Sequence, residues 1–183
     1  MSKDVFCDSD FLSAFLSVEQ LSIPLLLYKN SIVIPQIVVD ELLKSGNEGY
    51  RETLQKVRNM NMVRVEDICV DQDAADLYIK FTDNPDAGMK AVGRGEAAVM
   101  AMAINKGGVV ASNNLKDVLP YIKTYGLDHI TTGIVIHKAV LENKITKADA
   151  DDIWRKMILR NCKLGAETYD EYVKGEMYHI DYE

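Results

Sequence analysis

Four acidic residues occupy comparable places in the sequence, each at the end of a predicted strand or in a helical segment beside one. They are Asp8, Glu41, Glu96 and Asp117. Carboxylates that meet at one edge of a sheet repel each other at neutral pH unless a cation neutralises them. Hard cations such as Mg²⁺ or Mn²⁺ take oxygen ligands, and they activate water for attack on a phosphodiester. The sequence therefore predicts phosphodiester chemistry if the four side chains converge.

The helix that follows the first predicted strand has several candidate capping residues. Ser9 or Asp10 is predicted to cap it, because short polar side chains accept hydrogen bonds from the first helical amides. Asp8 is then left at the end of a buried strand, where a carboxylate is costly unless it is paired, hydrogen-bonded or bound to a cation. This position favours a functional role for Asp8.

Glu96 lies at the start of a helical segment that ends at a pair of glycines. It follows a Gly-Arg-Gly sequence and precedes a run of strong helix formers. Val99, Met102 and Ala103 recur at helical spacing, which predicts that they form one buried face. The glycines at 107–108 supply the left-handed residue that ends such a helix.

A polar sequence follows the apolar strand predicted at 109–111. It consists of Ser112, Asn113 and Asn114 and leads into another helical segment. In parallel α/β sheets, ligands collect at the carboxyl ends of the strands. We therefore expect polar groups from other strand ends to converge on this sequence.

The order of predicted elements indicates the fold class. Strands are predicted near residues 5, 32, 63, 109 and 129, and helical segments alternate with them. This alternation predicts an α/β protein whose parallel sheet is covered by helices on both faces.

The composition is that of an acidic globular protein. The 183 residues are 48% apolar, and 21 basic residues against 28 acidic ones give a net charge of −7. This balance excludes a protein that binds polyanions through its overall charge, so a nucleic acid would need a local basic patch. The scattered Cys7, Cys69 and Cys162 have no metal-binding spacing. Without a signal peptide or an apolar stretch that could span a bilayer, we expect a soluble, cytoplasmic protein with no membrane contact.

Four stretches of the chain, taken in order, resemble the successive motifs of PIN-domain nucleases. The likeness covers residues 4–130, and the part that follows is similar to the C-terminal extension of some bacterial PIN proteins. We accordingly predict a PIN-like α/β domain at 1–130 and a helical extension at 131–183 that packs on it. The stretches are CDSDFL at 7–12, IP at 34–35 with EL at 41–42, GRGEA at 93–97 and VASNN at 110–114.

The resemblance implies both a fold and an activity. The fold is a Rossmann-like parallel sheet of about five strands with helices on both faces. The activity is Mg²⁺- or Mn²⁺-dependent hydrolysis of single-stranded RNA by a metal-activated water. Many members of the family are toxins of toxin–antitoxin pairs, so an antitoxin protein is a candidate partner. A homodimer is the expected assembly.

The resemblance also implies the roles of individual acidic residues. Asp8, Glu41 and Glu96 match the first three acids of the family, and Asp117 matches a further position that is acidic in many members. These four are the expected catalytic residues. The family commonly has an aspartate where this chain has Asn114, or Asn113 if the register shifts by one. The expected metal ligands are Asp8, Glu96, Asn114 and Asp117.

Substrate contacts are expected beside these acids. Ser112 matches a small hydroxyl residue that the family places near the substrate phosphate. Asn113 stands beside it, and the cationic Arg94 and Lys116 flank the proposed site, where they are candidates to bind phosphates. An asparagine in the fourth acidic position removes one formal negative charge from the expected metal site.

Two other interpretations remain open. An acid pair after a strand, Asp8 and Asp10, with Ser112 after another strand, resembles a haloacid-dehalogenase-type phosphatase, in which the first aspartate is the nucleophile. That interpretation leaves Glu41 and Glu96 without a role. The third interpretation is a PIN-like module that has lost catalysis with its fourth aspartate and binds RNA or protein.

Overall fold

Five short strands form the centre of this computed structural model, which describes residues 3–44 and 46–175. The strands are β1 (Val5–Cys7), β2 (Ile32–Pro35), β3 (Arg64–Glu66), β4 (Val109–Ala111) and β5 (Asp128–Ile130). They lie in the order β3-β2-β1-β4-β5, and every neighbouring pair is parallel. This arrangement confirms the predicted α/β fold with a parallel sheet of five strands.

Helices connect the strands and cover the sheet. Because crossovers between parallel strands are right-handed and the chain adds strands on both sides of β1, helices cover both faces of the sheet. A turn of 3₁₀-helix spans Ile68–Val70. The helices are α1 (Ser9–Ser17), α2 (Ser22–Leu27), α3 (Gln36–Lys44), α4 (Glu48–Asn59), α5 (Gln72–Asp83), α6 (Arg94–Lys106), α7 (Leu115–Tyr125), α8 (Thr132–Leu141), α9 (Lys147–Leu159) and α10 (Tyr169–Lys174).

The strands β2 and β3 extend the sheet on one side of β1, and β4 and β5 extend it on the other side. The chain runs from β1 outward to β2 and β3, then returns to β4 on the other side of β1. Cys7 pairs with Ala111 at the last position of both strands, and the Asp8 amide donates to the Ala111 carbonyl at 3.0 Å. A crevice at the carboxyl ends of β1 and β4 is the place where open α/β sheets bind ligands.

The central helix α6 is buried more completely than its sequence predicts. A single buried face containing Val99, Met102 and Ala103 was expected, whereas every residue in the range 97–103 is buried. The helix packs against the strands β1, β2 and β4 and against the helices α3, α5 and α7, so it has no solvent-facing side along this range. Its alanines allow these neighbours to approach closely. The rigid packing fixes the helix whose first turn carries Glu96.

The helices after β5 pack on the rest of the fold. Helix α8 contacts α1 and α2, and α9 contacts α1, α8 and α10. Trp154 is buried against Tyr169 and Tyr172, with ring centroids 5.7 and 4.9 Å away. Of the extension predicted at 131–183, the last eight residues lie outside the described residues. None of the helices in the described ranges is long and apolar enough to cross a membrane.

Candidate active site

Asp8 leaves β1 and caps the helix that follows. Its Oδ1 accepts a hydrogen bond from the Phe11 amide at 2.7 Å, which makes Asp8 the N-cap of α1. The prediction that Ser9 or Asp10 caps this helix was therefore wrong, because the chain turns into the helix one residue earlier. One carboxylate oxygen of Asp8 is thus engaged in the helix cap, and the other takes no part in it.

The second oxygen of Asp8 is buried without a hydrogen-bond partner. Only 1% of Asp8 is exposed, and no group among the described residues forms a hydrogen bond of good geometry with Oδ2. The pKa of Asp8 is raised to about 7: desolvation is the main cause, hydrogen bonding to the Ser112 hydroxyl and the Phe11 amide opposes it, and the charges of Asp10 and Glu96 contribute to the rise. The carboxyl therefore titrates near neutrality, and Glu96 lies close enough to influence it electrostatically.

Two glycines make room for two of the predicted glutamates at the start of α6. Gly93 is the N-cap of the helix, and Gly95 is buried in its first turn. Glu41 Oε2 lies 2.7 Å from the point where a Cβ on Gly95 would stand, and the Glu96 carboxylate occupies the corresponding point at Gly93. The Gly-Arg-Gly sequence therefore lets both carboxylates lie against the helix N-terminus. No local sequence pattern predicts this role for the two glycines, because the glutamate at 41 comes from a distant helix.

Asn114 joins two of the acidic side chains. Its Nδ2 donates to Glu96 Oε1 at 3.0 Å and to Asp117 Oδ2 at 2.7 Å. Its backbone amide donates to the Ser112 hydroxyl at 3.1 Å. Of the two adjacent asparagines, Asn114 is therefore the one that bonds to the predicted acidic residues. In this arrangement its amide group holds the two carboxylates together, as a cation between them would.

Asn113 has a different environment from its neighbour. Its Oδ1 accepts from the Thr132 amide at 2.9 Å, and its Nδ2 donates to the Thr132 hydroxyl at 2.8 Å. The side chain thus ties the end of β4 to the N-terminus of α8. Its amide is engaged in this tether and lies apart from the acids that Asn114 connects.

The two cations predicted beside the acids have different surroundings. The Arg94 Nε donates to the Tyr78 hydroxyl at 3.0 Å, and the nearby charges of Glu41 and Asp40 add to the rise in the pKa of this guanidinium. Lys116 is exposed in the first turn of α7. Tyr78, which the helical pattern predicts only as an apolar anchor of its helix, therefore orients Arg94 at the rim of the site.

Comparison with known protein families establishes the family to which this chain belongs. A family model described as a PIN domain matches residues 4–175. The chain belongs to the PIN-domain family. No curated protein matches the chain at a significant level. The matched region includes α8, α9 and α10 as well as the sheet. The family is of the nuclease type and generally uses divalent metals, and its members bind nucleic acid.

The chemistry of this PIN domain suits a hard cation, although the acids do not form a closed cluster. Among residues 3–44 and 46–175, no three Asp, Glu, His or Cys side chains converge as a metal-binding group. Asp8 nevertheless presents a buried oxygen without a partner, and Glu96, Asp117 and Asn114 offer further oxygen donors. Mg²⁺ and Mn²⁺ prefer such donors. To bind an ion, Asn114 would have to turn its amide so that the carbonyl oxygen faces the site.

The burial of Asp8 predicts how the stability of the PIN domain depends on pH. Its pKa is about 7 in the folded protein, so the folded state keeps a proton that the unfolded chain releases near pH 4. We expect the free energy of unfolding to lose about 3 to 4 kcal/mol between about pH 4 and pH 7 through this group. Urea unfolding of the wild type and of Asp8→Asn across this range measures the difference. Parallel pH profiles for the two proteins would contradict this prediction.

Proposed function

We propose that this PIN domain is a metal-dependent endoribonuclease that hydrolyses phosphodiester bonds of single-stranded RNA. The observation that carries the proposal is the buried, unpartnered Oδ2 of Asp8 beside Glu96, in the crevice between β1 and β4. A buried carboxylate oxygen with no donor is a costly feature, and a bound cation would offset that cost. Family membership gives the reaction class, because the family is of the nuclease type.

The residues of this chain have distinct roles in the proposed reaction. Asp8, Glu96, Asn114 and Asp117 would hold the ion. A bound Mg²⁺ or Mn²⁺ would supply water activation near neutral pH and neutralise charge at the phosphate. Glu41, whose carboxylate lies at the N-terminus of α6, is proposed to accept a proton or to orient a water.

Groups at the rim would position the RNA. Arg94, which the Tyr78 hydroxyl orients, and the exposed Lys116 are candidates to bind phosphates on either side of the scissile bond. The Ser112 hydroxyl lies at the end of β4 beside Asp8 and is proposed to contact the phosphate that reacts. Asn113 is proposed to act indirectly. Its side chain is hydrogen-bonded to Thr132, and this contact fixes the backbone at the end of β4, where the RNA would bind.

One observation favours a second candidate function. Asn114 donates hydrogen bonds to both Glu96 and Asp117. These bonds reduce the repulsion between the two carboxylates, and they therefore weaken the electrostatic attraction of the site for a cation. A module with this feature could bind RNA or protein without cutting it. The haloacid-dehalogenase-type alternative has less support, because it gives no role to Glu96, whose charge raises the pKa of Asp8.

An RNA cleavage assay tests the proposed function. End-labelled single-stranded RNA incubated with the purified protein and Mn²⁺ is expected to yield internal cleavage products. EDTA should stop the reaction, and an RNA duplex of the same sequence should be cut more slowly if the site acts on single strands as proposed. RNA that is bound but remains intact at every Mn²⁺ concentration would favour the binding module instead.

The proposal extends to the biological setting and the assembly. We infer that the protein acts as the toxin of a toxin–antitoxin pair, and that it works in the cytoplasm as a homodimer, on the basis of its family alone. Expression of the wild type should slow growth, whereas expression of Asp8→Asn should not. Equal growth with the two proteins would contradict the toxin role without bearing on the cleavage assay.

A further inference from the structure

A second concave site lies at the end of the sheet opposite Asp8. Val5, Val109 and Asp128 line it and are the first residues of β1, β4 and β5, whereas Asp8 and Ser112 follow the last residues of β1 and β4. The C-terminal end of α2 and one side of α8 complete the walls. The cavity has a volume of about 670 Å³, which is within the range of about 300 to 1,000 Å³ typical of small-molecule sites.

Most of the cavity wall is apolar. Leu27 from α2, Ile130 from β5 and Ile134 from α8 face it together with the valines that begin β1 and β4. Tyr28 adds an aromatic ring that is half-buried. Sites that bind organic molecules combine such walls with a few polar groups that fix the orientation of the ligand.

The charged residues of the cavity are mainly basic, in contrast to the rest of the protein. Within the described residues, its lining contains Lys3, Lys29 and Lys138 against Asp128, whereas the whole chain has 21 basic and 28 acidic residues. The Lys3 amine pairs with Asp128 at 2.6 Å. The Lys138 amine lies 4.8 Å from the centre of the Tyr28 ring and 4.0 Å from Glu142 Oε1, so this cation is held at the cavity wall, and Lys29 is the lysine for which the described residues provide no ion-pair partner. The local field therefore favours an anion.

We propose that this cavity binds a small organic anion with an aromatic or branched apolar body. The carboxylate, sulfonate or phosphate of the ligand would lie near Lys29 and Lys138, and its body would cover Leu27 and Ile134. A neutral ligand would leave Lys29, for which the described residues provide no ion-pair partner, without a counter-charge, and a cation would be repelled by it. The site is separate from the proposed nuclease centre, so the two proposals can fail independently.

A pair of fluorescent dyes tests this proposal in the full-length protein. Anilinonaphthalene sulfonate has an apolar aromatic body and a negative charge, and phenylnaphthylamine has the same rings without the charge. We expect the wild type to bind the sulfonate more tightly than the neutral dye. The Lys29→Gln/Lys138→Gln double variant should bind the sulfonate about tenfold more weakly, since each lost charge-assisted contact has an appreciable free energy. Its affinity for the neutral dye should not change.

Lys56→Gln is the matched control. Lys56 lines another groove, which also contains the exposed Leu26 and Met60 and is therefore a rival apolar surface for the dyes. This variant should bind both dyes as the wild type does. The proposal is overturned if the double variant keeps wild-type affinity for the sulfonate, or if Lys56→Gln lowers that affinity equally. Far-UV circular dichroism and the thermal midpoint of each variant verify that the substitutions leave the fold intact.

Discussion

The Asp8→Asn variant is expected to lose Mn²⁺-dependent cleavage of single-stranded RNA, with kcat/KM lowered by about 10²- to 10³-fold or more. The substitution removes the charge from the buried oxygen that has no hydrogen-bond partner. It keeps an oxygen able to accept the Phe11 amide, and asparagine caps helices about as well as aspartate. Single-turnover cleavage assays with excess protein measure the chemical step directly.

The same variant should fold and be more stable than the wild type above neutral pH. Removing a carboxyl whose pKa is raised to about 7 relieves a desolvation cost, while the new buried amide offsets part of the gain. Asp10→Asn is the matched control, because Asp10 is an exposed neighbour that does not cap the helix. It should keep most of the activity. Wild-type cleavage by a folded Asp8→Asn protein would contradict the role assigned to Asp8.

The Asn114→Asp variant is expected to be less stable than the wild type without metal and to bind Mn²⁺ more tightly. The change replaces an amide that donates to Glu96 and Asp117 by a third carboxylate that repels them. Lost hydrogen bonds to charged groups and the added repulsion should lower the free energy of unfolding by about 1 to 3 kcal/mol at pH 7. Saturating Mn²⁺ should restore this loss, because a ligand that binds only the folded state stabilises it.

Asn105→Asp provides a matched control for this experiment. The Asn105 Nδ2 donates to Asp71 Oδ2 at 2.7 Å, so the substitution introduces the same repulsion at a distance from the proposed site. Both variants should be destabilised, and Mn²⁺ should rescue only Asn114→Asp. Thermal unfolding with and without Mn²⁺ distinguishes them. If Mn²⁺ raises the midpoint of both variants equally, Asn114 does not belong to a metal site.

The sequence was sufficient to predict the parallel sheet and the placement of the acids at its carboxyl edge. Strands that end in polar residues, such as the one before Asp8 and the one before Ser112, indicate where a ligand site forms. The helix with Glu96 in its first turn was equally predictable, because its composition and its glycine ends are strong local signals. These predictions succeeded because each of them rests on residues that are close together in the sequence.

Other features of the site depend on side-chain directions that no local pattern specifies. Asn113 and Asn114 are adjacent and chemically identical, yet one bonds to Thr132 and the other to Glu96. The contact of Tyr78 with Arg94 joins residues from different helices. The burial of α6 on all sides also depends on which helices pack around it. Each of these features is set by tertiary packing, which overrides the local prediction.

Mn²⁺ binding tests the central claim most directly, since that claim is that Asp8 and Glu96 hold one hard cation between them. Electron paramagnetic resonance follows the disappearance of free Mn²⁺ as wild type, Asp8→Asn or Glu96→Gln is added. We predict that the wild type binds Mn²⁺ and that each variant binds it at least about tenfold more weakly, because each loses a charged oxygen donor. Equal Mn²⁺ affinity in all three folded proteins would contradict the claim.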